Sequence, residues 1–167
     1  MNIVGIDNGL SGGLAIIDDE RRPADNTLVF PMPVIFNLSK RVVDELEVFE
    51  FLDNRGAEHV FIEGVQPNPQ WQISAVTSLV TCQALVRGMC VAMEIPYTIV
   101  PAQAWQKAMF KGTPCKKGQT KVVSVQVAKR LFPKVSLLRT PKCTKPSDGM
   151  SDALLIAEYG RRQLQGA

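Results

Sequence analysis

Four carboxylates occupy positions from which they can converge on one point. Asp7 closes the short β-branched run Asn2 to Ile6, and Glu63 closes a second run, Val60 to Ile62. Asp148 and Asp152 lie four apart at the start of the last helical stretch. A side chain at the end of a strand projects beyond the sheet, so Asp7 and Glu63 meet at one edge if their strands are neighbours. Residues four apart on a helix share a face, and like charges there cost stability. No basic residue lies between Asp148 and Asp152 to relieve their repulsion, so the pair invites a cation. The set contains no histidine or cysteine, and all-oxygen ligands favour a hard ion, Mg²⁺ or Mn²⁺. Two such ions per site imply phosphodiester hydrolysis, one lowering the pKa of the attacking water and the other stabilising the departing oxygen. Each acid alone also has a structural explanation. Asp148 can favour the helix dipole just after Ser147, Asp152 can face solvent, and Glu63 can pair with a lysine. The combination carries the reading.

The elements that must position these acids follow from periodicity. Gly13 to Ile17, ending in Asp18-Asp19-Glu20, pairs with Asn2 to Ile6 as a hairpin, and Thr27 to Met32, bounded by Pro31 and Pro33, reads as a third strand. An amphipathic helix is predicted from Ser39 to about Asn54, with Val42, Val43, Leu46, Phe49, Phe51 and Leu52 as its apolar side. After the strand at Glu63 and a loop from Gln66 to Gln70, Trp71 to Met93 reads as a long helix, then Tyr97 to Val100 as a strand closed by Pro101. Helices are predicted at 102–110, at 119–131 and from Ser147 to about Gln163. The stretches 111–118 and 132–145 are irregular because they hold glycine and proline. Three strands in a meander, then helices alternating with strands, give an α/β fold. The order matches a ribonuclease-H-like mixed five-stranded sheet with helices on both faces better than a doubly wound nucleotide-binding fold, which opens strand, helix, strand. No composition shift divides the chain, and residues 1–167 are expected to form one domain.

Charge is segregated along this order. Residues 1–94 hold 13 acids against 6 bases, whereas no acid occurs between Glu94 and Asp148. That interval holds 11 of the 19 lysines and arginines: Lys107, Lys111, Lys116, Lys117, Lys121, Lys129, Arg130, Lys134, Arg139, Lys142 and Lys145. A positive face of this kind attracts polyanions, nucleic acid foremost, the alternative being a basic but idle solvated surface. The four cysteines, Cys82, Cys90, Cys115 and Cys143, have no paired spacing, and the single histidine, His59, is remote from them in sequence, which argues against zinc. Cys82 and Cys90 read as core thiols, and His59 as a packing or surface residue. Met1 to Asp7 lacks the form of a secretory signal. The long apolar stretch carries Arg87, Gln83 and several hydroxyls, so it reads as a buried helix and not as a membrane span. A cytoplasmic protein of a bacterial or phage-infected cell is expected.

These motifs resemble the Holliday-junction resolvases of the RuvC family, phage relatives included, over most of the chain. Gly5-Ile6-Asp7-Asn8-Gly9 is similar to the family's opening strand, Ile62-Glu63 to its second acid, and Asp148 with Asp152-Ala153-Leu154 to its acidic helix. Gln83 to Gly88 resembles its long-helix stretch, and Val100-Pro101 with Trp105 and Lys107 the segment before its basic loop. The resemblance implies a Mg²⁺-dependent homodimer that binds branched DNA, specifically four-way junctions, and nicks two strands symmetrically. It also implies catalytic or DNA-binding roles for Lys107 and Lys121, which as ordinary phosphate contacts would need no such role. The other exposed cations, Lys111, Lys116, Lys117, Lys129, Arg130, Lys142 and Lys145, are expected to contact nucleic acid. Three departures stand out: the last two acids are four apart where bacterial members space them by three, Gln66 replaces an aromatic that stacks at the junction, and Asn8 stands where proline or serine is common. Trp71 is the nearest aromatic to Gln66, and it reads first as a core anchor. The small residues Ser74, Ala75, Ser78, Ala84 and Gly88 make the long helix a candidate dimer seam, its alternative being the central core helix of the domain.

Three rivals remain at this point. Asp7 to Gly13 also resembles the phosphate loop of the actin and sugar-kinase superfamily, but no second loop or second domain follows. A catalytically idle junction-binding protein would not need all four acids. Another ribonuclease-H-like nuclease, acting on branched DNA or an RNA–DNA hybrid, shares the fold.

Overall fold

A computed structural model of the chain describes residues 1–18, 27–66, 68 and 70–166. Its elements are β1 (Asn2–Asp7), β2 (Gly13–Asp18), β3 (Leu28–Pro31), β4 (Val34–Asn37), β5 (Lys40–Val43), α1 (Glu45–Asn54), β6 (His59–Gly64), α2 (Ile73–Ala92), β7 (Tyr97–Pro101), α3 (Ala102–Met109), α4 (Thr120–Leu131) and α5 (Asp148–Leu164). Asp19 and Glu20, expected to end the second strand, and Pro67 and Pro69 of the following loop lie outside the described residues.

β1 organises the sheet. β2 returns beside it antiparallel, β3 continues the meander, and β6 and β7 run parallel to β1 on its other side, giving the order β3-β2-β1-β6-β7. This is the mixed five-stranded sheet expected from the element order. Strand periodicity then sorts side chains to two faces. Ile3 and Phe61 join Trp105, Val127 and Leu154 in the core beneath α3, α4 and α5. Val4, Ile6, Val60 and Ile62 join Val48, Leu52, Cys82 and Val86 in the core beneath α1 and α2. Cys82 and Cys90 are buried thiols, as expected, and Cys115 and Cys143 are free as well.

α5 lies directly on β1 and β2. A methyl group added at Gly5 would stand 2.2 Å from the Ala153 carbonyl oxygen and 2.3 Å from the Ala157 nitrogen. At the helix's first turn, one at Gly149 would stand 2.2 Å from the Ser11 carbonyl oxygen. No other residue type fits either place without moving backbone, so two glycines let helix and strand approach main chain to main chain. Ser147 caps α5, accepting from the Met150 nitrogen at 3.4 Å.

Three expectations are corrected. The helix predicted from Ser39 begins at Glu45, and Asp44 is its cap, accepting from the Glu47 nitrogen at 3.1 Å. The preceding residues form a two-stranded hairpin, β4–β5, whose turn places Leu38 at φ 45° and Ser39 at φ 66°, a left-handed pair that no helix accommodates. Val42 and Val43 are therefore strand residues, and of the helix proper only Val48 and Leu52 are buried while Leu46 and Phe49 are exposed. The second correction concerns α2, which is neither a buried helix nor the domain's central core element. Only Cys82, Val86 and Cys90 of its residues are buried, and Ile73, Val80 and Val91 face solvent. The third is Trp71, which is 46% exposed and anchors no core.

Candidate active site

The parallel register of β1 and β6 pairs Ile6 with Ile62, which places Asp7 and Glu63 side by side one residue further on. Each lies two residues beyond a position facing α5, Gly5 in one strand and Phe61 in the other, so both acids emerge on the α5 face. The close approach of α5 at Gly5 and Gly149 brings Asp148 and Asp152 to the same edge. Asp7 and Asp152 tie the set together electrostatically: Asp7 feels the charges of Glu63, Asp152 and Asp148, and Asp152 those of Glu63 and Asp148.

Three of the four acids rest on side chains outside the set. Glu63 accepts from the indole Nε1 of Trp105 at 3.0 Å, and its backbone carbonyl accepts from the side-chain amide of Asn8. Asp152 accepts from the Ser124 hydroxyl. Asp148 pairs with the Lys121 ammonium at 2.6 Å. Burial raises the Asp7 carboxyl well above its ordinary range, and the neighbouring acids and a hydrogen bond to Glu63 push it the same way. Asp152 is pushed up to about 7, by burial first and then, against its Ser124 hydrogen bond, by the Glu63 and Asp148 charges. Asp148 goes the other way: burial acts to raise it, but the hydrogen bond and charge of Lys121 prevail and hold it below the usual value. Lys121 is raised in turn by the same pairing.

Among the described residues no three histidine, cysteine, aspartate or glutamate side chains are grouped closely enough to hold one ion between them. The donor chemistry nevertheless suits a divalent cation. The acids are oxygen ligands of one sign, and two of them are pushed toward protonation by burial first and by their acidic neighbours after it. A divalent cation held by these acids would offset their mutual repulsion. The Oδ1 atom of Asn8 is buried beside Asp7 and has no hydrogen-bond partner.

Of the two lysines singled out in the sequence, Lys121 reaches the acids. Lys107 does not: it is exposed in the last turn of α3, and it is Trp105 of that helix that contacts Glu63. Lys111, Lys116, Lys117, Lys129, Arg130, Lys142 and Lys145 are all exposed, with Arg130 donating to Thr113 Oγ1 at 3.3 Å. Arg139 turns back to donate to the Gly12 carbonyl at 3.5 Å, joining the basic segment to the β1–β2 turn. Sequence reasoning gave no role to Ser124 or Asn8, and none to Trp105 beyond its segment. For Ser124 a signal existed. It is a hydroxyl in the buried stripe Val123, Val127, Ala128 and lies three residues after Lys121 on the same face.

Neither a protein-family model nor a curated protein sequence matches the chain. Solved structures do match. The T. thermophilus RuvC in complex with Holliday junction substrate is similar with a TM-score of 0.62 at 15% identity, over 99% of this chain and 96% of that one. The Thermus thermophilus RuvC structure gives 0.61 at 15%, over 99% and 97%. The yeast mitochondrial Holliday junction resolvase Ydc2 gives 0.60 at 13%, over 97% of this chain and 78% of that one. Likeness at these identities establishes a shared fold.

Proposed function

We propose that residues 1–167 are one ribonuclease-H-like nuclease domain of the RuvC type, an endodeoxyribonuclease that resolves four-way DNA junctions by metal-dependent phosphodiester hydrolysis. The observation that carries this reading is the convergence of Asp7, Glu63, Asp148 and Asp152, from two strands and a helix, at one sheet edge of a fold shared with Holliday-junction resolvases. The acid-free segment beside it, with its exposed lysines, supplies the attraction for a polyanion.

The four acids would hold two Mg²⁺ ions, with Mn²⁺ as a substitute. When bound, the ions supply neutralisation of the phosphate charge and a more acidic attacking water. The remaining work falls to the chain. Trp105 and Asn8 fix Glu63 at its side chain and its backbone, so one ligand is oriented in advance. Ser124 orients Asp152. Lys121, paired with Asp148 here, would face a phosphate oxygen with Asp148 engaged by an ion. Lys107, exposed on α3, is a phosphate contact further out. The apolar, exposed face of α2 is covered by the same face of a second copy, which makes a homodimer and sets two sites at a fixed separation for paired cuts. Arg87 and the hydroxyls of α2 favour this partner over a lipid bilayer. The four free thiols suit a reducing cytoplasm, bacterial or phage-infected.

The test is incubation with a synthetic four-way junction, a matched linear duplex and an RNA–DNA hybrid, with Mg²⁺ or EDTA, beside an Asp7→Asn variant. Symmetric, Mg²⁺-dependent nicking of the junction alone, lost in the variant while binding persists, is the expected result. Cutting of the hybrid instead moves the assignment to another nuclease on this fold. Binding without cutting makes the chain a junction-binding protein.

A further inference from the structure

The β4–β5 hairpin is an exposed structure that nothing in the domain explains. It forms a sheet of its own and carries Phe36 at 76% and Leu38 at 93% exposure. Leu38 occupies a left-handed turn position, φ 45°, where glycine or asparagine is favoured and leucine is strained. Neither packing within the chain nor backbone preference selects leucine there. The hairpin's charge identifies the partner. Residues 33–43 contain no acid, and Lys40 and Arg41 on β5 are both exposed. Its position identifies which part of that partner it meets. The strand leading into it is tied to the turn beyond Asp7 by a hydrogen bond from the buried Met32 nitrogen to the Gly12 carbonyl at 3.0 Å, and its base is closed by Asp44 donating to Pro33 at 3.0 Å. Lys40 and Arg41 also line a cavity of about 730 Å³ with Asn8 and Ser11 of that turn and Ser78 and Leu79 of α2.

We infer that the hairpin is a DNA wedge: Phe36 and Leu38 stack on base faces exposed where strands part at a branch point, and Lys40 and Arg41 hold the adjoining phosphates. Apolar side chains flanked by cations are the chemistry that separates stacked bases. Branched DNA offers unstacked faces that a linear duplex does not, so the hairpin confers structure selectivity on a site that contacts phosphates alone. Trp71, also exposed, lines a hollow with Ile73 and Val80 on the α2 face given above to the second copy, which leaves the hairpin for DNA. The inference rests on the nuclease reading.

The test uses four-way junctions with 2-aminopurine at the branch point, read by fluorescence in EDTA and by cleavage in Mg²⁺. Wild-type protein raises the fluorescence several-fold. The Phe36→Ala/Leu38→Gly variant loses most of that rise and cuts about tenfold more slowly, with an unchanged melting temperature and sedimentation coefficient. Lys40→Ala/Arg41→Ala keeps the fluorescence rise at saturation but binds with a salt dependence shallower by about one to two. An undiminished rise in the Phe36/Leu38 variant of a protein that cuts junctions overturns the wedge and leaves the nuclease reading standing. A variant that sediments as a smaller species makes the hairpin a contact between copies and overturns the wedge as well. Failure of the wild type to bind or cut junctions removes both.

Discussion

Helices α2 and α5 are of similar length, 20 and 17 residues, yet the domain treats them in opposite ways. α5 lies against the sheet with ten of its residues buried, and its approach is close enough that glycine is required on both sides of the contact. α2, the more apolar by sequence, buries three. Apolar composition therefore does not say whether a helix is covered by its own chain. α5 is so covered and carries two of the four acids, whereas α2 leaves most of its apolar surface open.

The comparison is sharpened first at α5's charged end. Asp152→Asn is expected to lower single-turnover junction cleavage in Mg²⁺ by about a thousandfold, several kcal/mol of barrier. The same change should raise the melting temperature of the metal-free protein, because it removes a buried charge that its neighbours oppose. Wild-type cleavage by this variant would mean that α5 is only a packing element. Gly5→Ala tests the packing itself. Forcing α5 away from β1 should cost about 3 kcal/mol in urea unfolding, and a neutral result would show that the helix can shift without loss.

A pH titration separates the site from the rest of the fold. Asp7 and Asp152 have native carboxyls raised above their unfolded values, so the native state binds the extra protons and stability is fullest below the unfolded pKa. The melting temperature of the protein in EDTA should fall as pH rises from about 4, the ordinary aspartate value, through about 7 for Asp152. Saturating Mg²⁺ should flatten that slope, and an equal slope with and without the ion would count against the acids as its ligands. The smallest effect on the protomer is expected at α2. Replacing the exposed Ile73 and Val80 by serine should change unfolding stability by less than about 0.5 kcal/mol yet weaken self-association in sedimentation equilibrium. If the loss of stability matches that of a core substitution, the contrast between the two helices fails.

The parts of this architecture readable from sequence are those written in local chemistry. β1 and β6 are β-branched runs with an acid at or next to their ends, and α5 opens with a serine cap, so the strands and the four carboxylates are legible without coordinates, whereas the adjacency of the two strands is only a condition of the reading. The β4–β5 hairpin was not legible, because its turn is Leu38-Ser39 instead of the asparagine–glycine pair that ordinarily marks such a turn, and its valines mimic one side of a helix. The exposure of α2 is hidden for a different reason, since an apolar run does not distinguish a face buried within the chain from one left open. Lys121 was found by its resemblance to a family position, but its partner was not. The pairing with Asp148 joins α4 to α5 across 27 residues of sequence, a tertiary fact that neither spacing nor composition encodes. The same holds for Trp105 on Glu63 and Ser124 on Asp152.

Those three partnerships have a consequence in time. An ammonium, an indole and a hydroxyl already occupy three of the four carboxylates, and Asp7 is left to share a hydrogen bond with Glu63. On the proposed reading, folding and arming are separate events: the chain folds with three acids lodged on its own side chains, and a cation would have to exchange for these stand-ins before any strand is cut.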